Sequence, residues 1–414
     1  MAKLFPFKGI LPSPDFTERV ISKPYDKYSK SEVEEIVKHN PASFLNIIKP
    51  ELANGQSTKP DNPEAQQKSR QKFEEFLENH ILTQASNKRY YIYRQIKSDF
   101  TYTGIIATIS SEDYHNGVIK IHEQTLAPKE EKLKDYLRVV GINAEPVMFT
   151  YPHRADIDEL VNMLTLETAY ASFHFDSKEH VLWEISNPGH IEMIRISFEK
   201  IERVYVADGH HRSASSVLLS QELAKETNDF SGDADWSRFM GIFFPDHNLQ
   251  LFEFNRLVKD IGSLSLAEIL EMLSADFEIT LINQTNYKPH MIHEISMYIA
   301  GNWYSLKLKH DLQNVRLEDK LDANILSQHI LAPLFNIQDL RNDERIGFLS
   351  GLQGSDELKR LVDSGKFAAA FGLFPVSMDQ FFSCSDQGKI MPPKTTWFEP
   401  KLLNGLVIYD IGQR

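Results

Sequence analysis

The sequence VYVADGHHRS at residues 204–213 constrains the fold more than any other stretch of this chain. Its first four residues favour a strand, and the pair Asp208-Gly209 favours a sharp turn, because glycine tolerates a positive φ. Residues 213–225 follow with apolar side chains mostly on one face of a helix. The stretch therefore predicts a strand, a tight turn and a helix in immediate succession.

The start of that helix is predicted to bind an anion. Unpaired backbone N–H groups and the positive end of the helix dipole both point outwards at such a position. Arg212 adds a guanidinium suited to phosphate, Gly209 lets a ligand approach the backbone, and Asp208 is suited to hold a metal ion or orient a histidine. The alternative is an ordinary turn with Ser213 as the helix N-cap. Three successive cationic or ionisable side chains favour the functional interpretation, since they add nothing to a core or a cap.

Length, charge and cysteine content exclude several classes of protein. The chain has 414 residues, more than one simple core accommodates, so two or three lobes are expected. A formal net charge of −13 argues against general binding to nucleic acid or to anionic membranes. Cys384 is the only cysteine, which excludes an intrachain disulfide and a thiolate metal cluster. The sequence shows neither a secretory signal nor a membrane span, so a cytoplasmic protein is expected.

Helical and strand patterns alternate along the whole chain. Strands are predicted over residues 88–96 and 101–109, joined as a hairpin, and a second hairpin is predicted from residues 239–244 and 249–254. A charged helix is predicted over residues 129–139. This mixture predicts an α+β fold with mixed, largely antiparallel sheets.

The common nucleotide, zinc and nucleophile signatures are missing from the sequence: GxxxxGK[ST], GxGxxG, HExxH and GxSxG do not occur. The pair His122-Glu123 is a weaker candidate, either a general base beside an imidazole or a solvated polar pair. Asn255-Arg256 offers a further phosphate contact, or a surface salt bridge.

The tail of the chain offers a last set of candidates. They are Lys394, Thr395, Thr396 and Lys401, which stand beside Trp397 and Phe398 in a segment that prolines stiffen. One interpretation is a preset clamp that folds over a ligand, and the other is a loop that packs its aromatic side chains on the core. The sequence leaves both open.

Six motifs occur in order along the chain: KPYD at 23–26, NP at 40–41, HEQT at 122–125, ADGHHR at 207–212, NR at 255–256 and MPPKTTWFEPKL at 391–402. Together they resemble the family called domain of unknown function 1015. The middle of the chain, with its upstream HE and downstream DGHHR, also resembles the archaeal free serine kinases. Those enzymes belong to the ParB/sulfiredoxin fold, in which a loop ending in His-Arg binds nucleotide phosphates at a helix start.

The resemblance implies a ParB/sulfiredoxin-like nucleotide-binding core with additional α/β lobes. The lobes are then an N-terminal α+β lobe at residues 1–115, the core with the DGHHR motif at 116–260, and a C-terminal α+β lobe at 261–414 whose tail packs back on the core. The chain departs from the free serine kinases at residues 155–201, which lengthen the gap between the HE and DGHHR motifs. The residues of the substrate pocket are therefore left unassigned.

The same resemblance implies roles for individual residues. Asp208 would act in catalysis and hold Mg²⁺, and Glu123 would take the proton of the substrate hydroxyl. The phosphates of ATP or ADP would be held by the rest of the motif, namely Gly209, His210, His211, Arg212 and Ser213. Secondary contacts to substrate or nucleotide are expected from His122, Asn255, Arg256, Lys394, Thr395 and Thr396.

Three functions are consistent with these residues. The first is a phosphotransferase that moves a phosphoryl group from the nucleotide to a small hydroxyl compound such as free serine. The second is a nucleotide-binding regulatory module of the ParB fold without catalysis. The third, a hydrolase with a metal on Asp208 and the histidines, is disfavoured because adjacent residues rarely ligate the same ion well. The expected partners are a nucleotide and a small substrate, with no membrane and no nucleic acid, and a homo-oligomer is left open.

Overall fold

The computed structural model describes residues 1–49, 62–97 and 99–412. By their contacts these residues form two compact units, Met1–Leu249 with Pro400–Arg414, and Gln250–Glu399. The first unit includes residues 1–115 and nearly all of 116–260, and their separation into two lobes stays a prediction.

A mixed sheet forms the centre of the first unit. Its strands, with three strands of smaller sheets, are β1 (Leu4–Phe5), β2 (Ile10–Pro12), β3 (Leu82–Gln84), β4 (Tyr90–Lys97), β5 (Phe100–Ser110), β6 (Ile119–Lys120), β7 (Ile142–Asn143), β8 (Val147–Tyr151), β9 (Ala171–Phe175), β10 (Lys178–Ile185), β11 (Val204–Asp208) and β12 (Arg238–Pro245). The order across the main sheet is β6-β11-β8-β12-β5-β4-β10-β9, and β1 pairs with β5. The pairs β6/β11 and β8/β12 are parallel, and the other neighbours in this order are antiparallel.

Helices accompany this sheet. They are α1 (Thr17–Val20), α2 (Lys30–His39), α3 (Leu45–Ile48), α4 (Pro63–Glu78), α5 (Glu112–His115), α6 (Ala127–Val140), α7 (Ala155–Leu164), α8 (Pro188–Phe198) and α9 (His210–Thr227). The main core is continuous across the sheet: Ile105, Ala107 and Ile109 of β5 point into it at every second residue, as a strand requires. Ile157 of α7 and Phe198 of α8 pack into the same core.

The hairpin predicted over residues 88–109 is confirmed, because β4 and β5 pair antiparallel with Lys97 opposite Phe100. Ser98, in its connection, lies outside the described residues. The second predicted hairpin is wrong. Strand β12 is flanked by β5 and β8 inside the first sheet, so both of its edges are already occupied.

The second unit is built on an antiparallel sheet. Its strands are β13 (Gln250–Val258), β14 (Phe277–Ile282), β15 (Glu294–Ile299), β16 (Asn302–Leu308), β17 (Ile346–Ser350), β18 (Ala369–Gly372) and β19 (Thr396–Glu399). The order is β14-β16-β15-β18-β13-β17, and β19 pairs with the first half of β13. The helices are α10 (Leu266–Leu273), α11 (Asp322–Leu326), α12 (Ala332–Phe335), α13 (Gly354–Asp363) and α14 (Met378–Asp386), with a π-helical turn at Ser327–Leu331.

The last residues of the chain return to the first unit. Strand β20 (Tyr409–Asp410) pairs with β7, and Ile408 bridges to Ile10. The tail motif is thus divided, with β19 in the second unit and Pro400 onward in the first. Both units combine helices with largely antiparallel sheets, which confirms the predicted fold class. Within the described residues, a search for a helix long and apolar enough to cross a membrane found none.

Candidate functional site

The predicted strand, turn and helix are present at the DGHHR motif. Strand β11 ends at Asp208, Gly209 has φ 100° and ψ 30°, and α9 begins at His210. A Cβ atom on Gly209 would lie 3.1 Å from the Arg212 guanidinium carbon, so the position favours glycine by space as well as by φ. Gly209 itself is the N-cap, and the alternative with Ser213 in that role is wrong. The Ser213 hydroxyl is buried and donates to the His210 carbonyl at 2.9 Å.

Two cations lie beside the Asp208 carboxylate. Lys401 Nζ is 2.9 Å from Oδ2, and Arg212 Nη2 is 3.9 Å from Oδ1. Burial alone would raise the pKa of Asp208, but the charges of Lys401 and Arg212 outweigh it and hold the pKa well below its usual value. Asp208 is therefore ionised at neutral pH. Lys401 was among the tail candidates for a clamp, but its position beside Asp208 was not predicted.

Arg212 is fixed by more than Asp208. Its Nη1 lies 2.9 Å from Oε1 of Glu145 and also donates to the Pro146 carbonyl. These contacts come from the segment that enters β8, the neighbour of β11 in the sheet. The guanidinium is thus held in place at the start of α9 before any ligand arrives, which lowers the cost of ordering it on binding.

The HE and DGHHR motifs meet in the structure. The rings of His122 and His210 are nearly perpendicular with centroids 4.5 Å apart, and Glu123 Oε2 lies 3.9 Å from His210 Nδ1. Burial lowers the pKa of His210 to about 4, and burial and His210 hold the pKa of His122 well below its usual value. Both imidazoles are therefore neutral at pH 7. The Glu123 side chain is 42% exposed, so its carboxylate is accessible beside them.

Helix α9 is tied to α6 behind the motif. Ser215 Oγ donates to the carbonyls of Glu130 and His211, at 3.0 and 2.7 Å. His211 is half-buried, and burial, with the charge of Lys129, lowers its pKa. The helix start and the charged helix predicted over residues 129–139 are thus one packed pair, and α6 contributes its lysines to the surroundings of the motif.

A cavity of about 470 Å³ opens beside Arg212, within the size range of small-molecule sites. Its polar and aromatic lining consists of Tyr25, Lys49, Gln66, Ser69, Lys129, Lys132, Tyr136, Asn143, Glu145, Arg212, Ser216 and Asn404. Four of these side chains are cationic, which suits an anionic ligand. The two tyrosines offer ring faces, and Lys49 Nζ lies 4.4 Å from the Tyr25 centroid.

Tyr25 of the KPYD motif lines the cavity, and the Asp26 side chain lies outside the described part of the structure. Lys49, Lys129 and Lys132 were not predicted as site residues. The spacing of Lys129 and Lys132 was the available signal, because residues three apart share one face of a helix.

The pair Asn255-Arg256 belongs to the second unit and is buried there. Asn255 Oδ1 accepts from the Leu373 N–H at 3.0 Å, and Arg256 donates to the carbonyls of Phe254 and Pro393 at 2.7 and 3.1 Å. Burial lowers the pKa of Arg256 to about 9. The surface salt bridge considered for this arginine is therefore wrong, since the side chain is fully buried on backbone carbonyls. Its predicted phosphate contact stays a prediction.

The tail candidates at residues 394–396 also belong to the second unit. Lys394 has φ 56° and places its Nζ 5.3 Å from the Phe254 ring centroid. Thr395 is buried and donates to the Pro392 carbonyl at 2.7 Å, and Thr396 opens β19 opposite Glu253. These contacts account for the fold of the segment, and its action as a clamp stays a prediction.

Comparison with known proteins places the chain in a family. A family model described as "Protein of unknown function (DUF1015)" matches residues 4–324, more than three quarters of the sequence. The chain belongs to this DUF1015 family. The resemblance inferred from the six motifs is thereby confirmed. The comparison with curated proteins gave no match.

Several solved structures are similar to this DUF1015 protein. A free serine kinase in complex with AMP has 13% identity and a TM-score of 0.36, over 72% of this chain and 88% of that one. SbnI with C-terminal truncation from Staphylococcus aureus has 12% identity and a TM-score of 0.38, over 74% and 89%. A conserved hypothetical protein from Pyrococcus furiosus has 13% identity and a TM-score of 0.34, over 71% and 90%. Scores of this size are too low to transfer an activity, and the ParB/sulfiredoxin-like character of the core stays a prediction.

Proposed function

We propose that this DUF1015 protein is a nucleotide-dependent phosphotransferase that acts on a small hydroxyl substrate, such as free serine. The observation that carries the proposal is the approach of Glu123 to the start of α9, where its carboxylate lies 3.9 Å from His210. A carboxylate beside a phosphate-binding helix start is the arrangement that phosphoryl transfer to a hydroxyl requires.

The nucleotide phosphates bind at the start of α9. Backbone N–H groups of its first turn and the guanidinium of Arg212 meet there, and Lys401 adds a second cation. The cavity beside Arg212 receives the rest of the nucleotide, with the ring faces of Tyr25 and Tyr136 as apolar surface for the base. These groups neutralise charge and fix position, which is most of what phosphoryl transfer demands.

Glu123 acts as the general base. Its half-exposed side chain accepts the proton of the substrate hydroxyl while the hydroxyl oxygen attacks the terminal phosphorus. The bond from that phosphorus to its bridging oxygen breaks, and the nucleotide leaves one phosphate shorter. The neutral rings of His122 and His210 form one wall of this position and add no positive charge that would depress the basicity of Glu123.

Mg²⁺ fits the proposed site. Nucleotide-bound Mg²⁺ keeps several waters and needs only one or two protein carboxylates. Asp208 is ionised, its side chain is 40% exposed, and its Oδ1 is 3.9 Å from Arg212 Nη2, which leaves that oxygen accessible to an ion. Asp208 would hold the ion, which when bound neutralises charge on the phosphate oxygens.

The substitution Glu123→Gln tests the proposal, because it keeps size and hydrogen bonding but removes basicity. With ATP or ADP, Mg²⁺ and a panel of hydroxyl metabolites, we expect phosphorylated product from the wild type and a loss of about 10²–10⁴-fold in the variant. Nucleotide affinity by calorimetry stays unchanged. Glu34→Gln, on the surface of α2, is the matched control and keeps full activity. Wild-type transfer rates in Glu123→Gln would rule out this base.

A nucleotide-binding module without catalysis is the second candidate. It is favoured by the ion pair of Lys401 with Asp208, which occupies one oxygen of the carboxylate predicted to bind the metal. In that case the wild type binds nucleotide in calorimetry and transfers no phosphoryl group to any acceptor of the panel.

A further inference from the structure

A second cluster of ionisable residues follows the other end of strand β8. Strands β8 and β12 are parallel neighbours, and Tyr151 stands opposite Pro245 at their ends. His153 and His247 each come two residues after these positions, so the register brings the two histidines to the same edge of the sheet. Helix α7 begins immediately afterwards and presents Asp158 in its first turn.

Three ligand atoms converge there. His153 Nε2 lies 2.9 Å and His247 Nε2 3.4 Å from the same atom, Oδ2 of Asp158. The two imidazole rings are nearly perpendicular, with centroids 4.7 Å apart. The carboxylate of Asp246 accepts from the backbone N–H of His247 at 2.8 Å, which fixes the backbone at this histidine.

We propose that His153, Asp158 and His247 bind a divalent transition-metal ion of the Zn²⁺ class, with water completing its coordination. Tetrahedral ligation at bond lengths of ~2.0–2.1 Å separates neighbouring ligand atoms by about 3.4 Å. The two observed nitrogen–oxygen distances are close to that value, and all three ligand atoms lie within 4.8 Å of one another. The ion therefore needs little rearrangement to bind.

The exposure of these side chains leaves room for water. His153 and His247 are 51% and 48% exposed, and Asp158 is 25% exposed. Two histidines and one carboxylate with an open fourth position form the ligand set of many zinc sites that bind a reactant. The composition of nitrogen and oxygen ligands favours Zn²⁺ over Mg²⁺ and Ca²⁺, which prefer oxygen alone.

This cluster is separate from the proposed phosphate site. Asp208 stands opposite Met148 near the beginning of β8, whereas His153 follows its end at Tyr151. The length of the strand puts the two sites on the order of 15 Å apart. The metal is thus an addition to the proposed phosphotransferase and not its Mg²⁺.

Another cluster of the same composition provides a control. In the second unit, His310 Nε2 and His329 Nδ1 lie 2.7 and 2.8 Å from different oxygens of Asp276. Their rings are closer to parallel, at 26°. Ligand atoms of these three groups also lie within 4.8 Å of one another, so this cluster is a separate candidate for an ion, and variants of the two clusters report on different equivalents.

The test is Zn²⁺ titration of the full chain after chelator treatment, by calorimetry, with Co²⁺ absorption as a second readout of nitrogen ligation. We expect the double variant H153A/H247A to bind one equivalent fewer than the wild type and to lose the corresponding Co²⁺ band. D158N weakens that equivalent at least tenfold, and H310A retains it. An unchanged number of equivalents in H153A/H247A, or loss of the equivalent in H310A alone, would overturn the proposal.

Discussion

The ammonium of Lys401 lies 2.9 Å from the carboxylate of Asp208, although 193 residues separate the two in the sequence. This ion pair joins the last motif of the chain to the strand that ends in the DGHHR turn. It places a third positively charged group, after the helix start and Arg212, around the position where phosphates are proposed to bind.

Replacing Lys401 with Ala is expected to weaken nucleotide binding by about 1.5–3 kcal/mol, the value of a hydrogen bond to a charged group. The pKa of Asp208 should rise at the same time, because the first cation that lowers it is lost. Calorimetry measures the affinity, and Lys200→Ala, which removes a surface ion pair with Asp156, is the control. Equal nucleotide affinity in Lys401→Ala and wild type would show that Lys401 does not contribute to nucleotide binding.

Replacing Arg212 with Ala is expected to reduce nucleotide affinity by about 1.5–3 kcal/mol for the same physical reason. Arg212→Lys should recover only part of it, since lysine lacks the bidentate fork. Arg138→Ala removes an arginine paired with Glu222 and Glu226 on the far part of α9 and serves as the control. Calorimetry that gives the wild-type affinity for Arg212→Ala would contradict the assignment.

Filling the cavity is expected to block the nucleoside part of the ligand. Leu133→Trp adds a large ring to the lining from α6, and nucleotide affinity should fall at least tenfold while inorganic phosphate still binds at the start of α9. Asp135→Trp puts the same ring on an exposed position of the same helix and should have no effect. If both variants bind nucleotide as the wild type does, the base lies elsewhere.

The free energy of unfolding is expected to fall as the pH drops from 7 to 5. The folded-state pKa of His210 is about 4, lowered by burial from 6.5, so the unfolded chain binds a proton in this range that the folded chain does not. Stability from this group is therefore present above pH 6.5 and is lost towards pH 4, by about 2 kcal/mol at pH 5. His122 acts in the same direction.

Urea unfolding at pH 7 and pH 5 checks this dependence. The variant His210→Asn should show a loss smaller by about 2 kcal/mol, because it has no proton to take up at that position. His39→Asn removes an exposed imidazole and should retain the wild-type difference. Identical losses in His210→Asn and wild type would mean that the buried ring is not responsible.

Local patterns made much of the fold predictable. The turn at Gly209 follows from a strand-forming run and a residue that tolerates positive φ, both encoded within a few positions. The β4/β5 hairpin was predictable for the same reason, because its two strands are adjacent in the sequence. The position of strand β12 was also predicted correctly, but its partners were not. Its edges pair with β5 and β8, which are distant in sequence, and the local sequence contains no signal for pairing at that distance.

The site was predictable only where a motif kept its residues together. The DGHHR stretch could be assigned to a helix start, whereas the cavity combines Tyr25, Lys49 and Lys132 with residues of five other segments. Helix α8 was not predicted because its apolar residues are interrupted by polar ones, so the helical period is weak. Helix α14 was not predicted either, although Ser377 and Gln380 form a capping box at its start, a signal that the sequence contains.

The division of the chain has a consequence for biosynthesis. The second unit is inserted between residues 249 and 400 of the first, and Lys401 is translated long after Asp208. During synthesis the DGHHR turn must therefore exist for some time without its lysine, and strand β7 without its partner β20. A chain that ends before Lys401 would have an incomplete anion site and a lower ligand affinity. Full ligand affinity would therefore indicate that translation has passed Lys401.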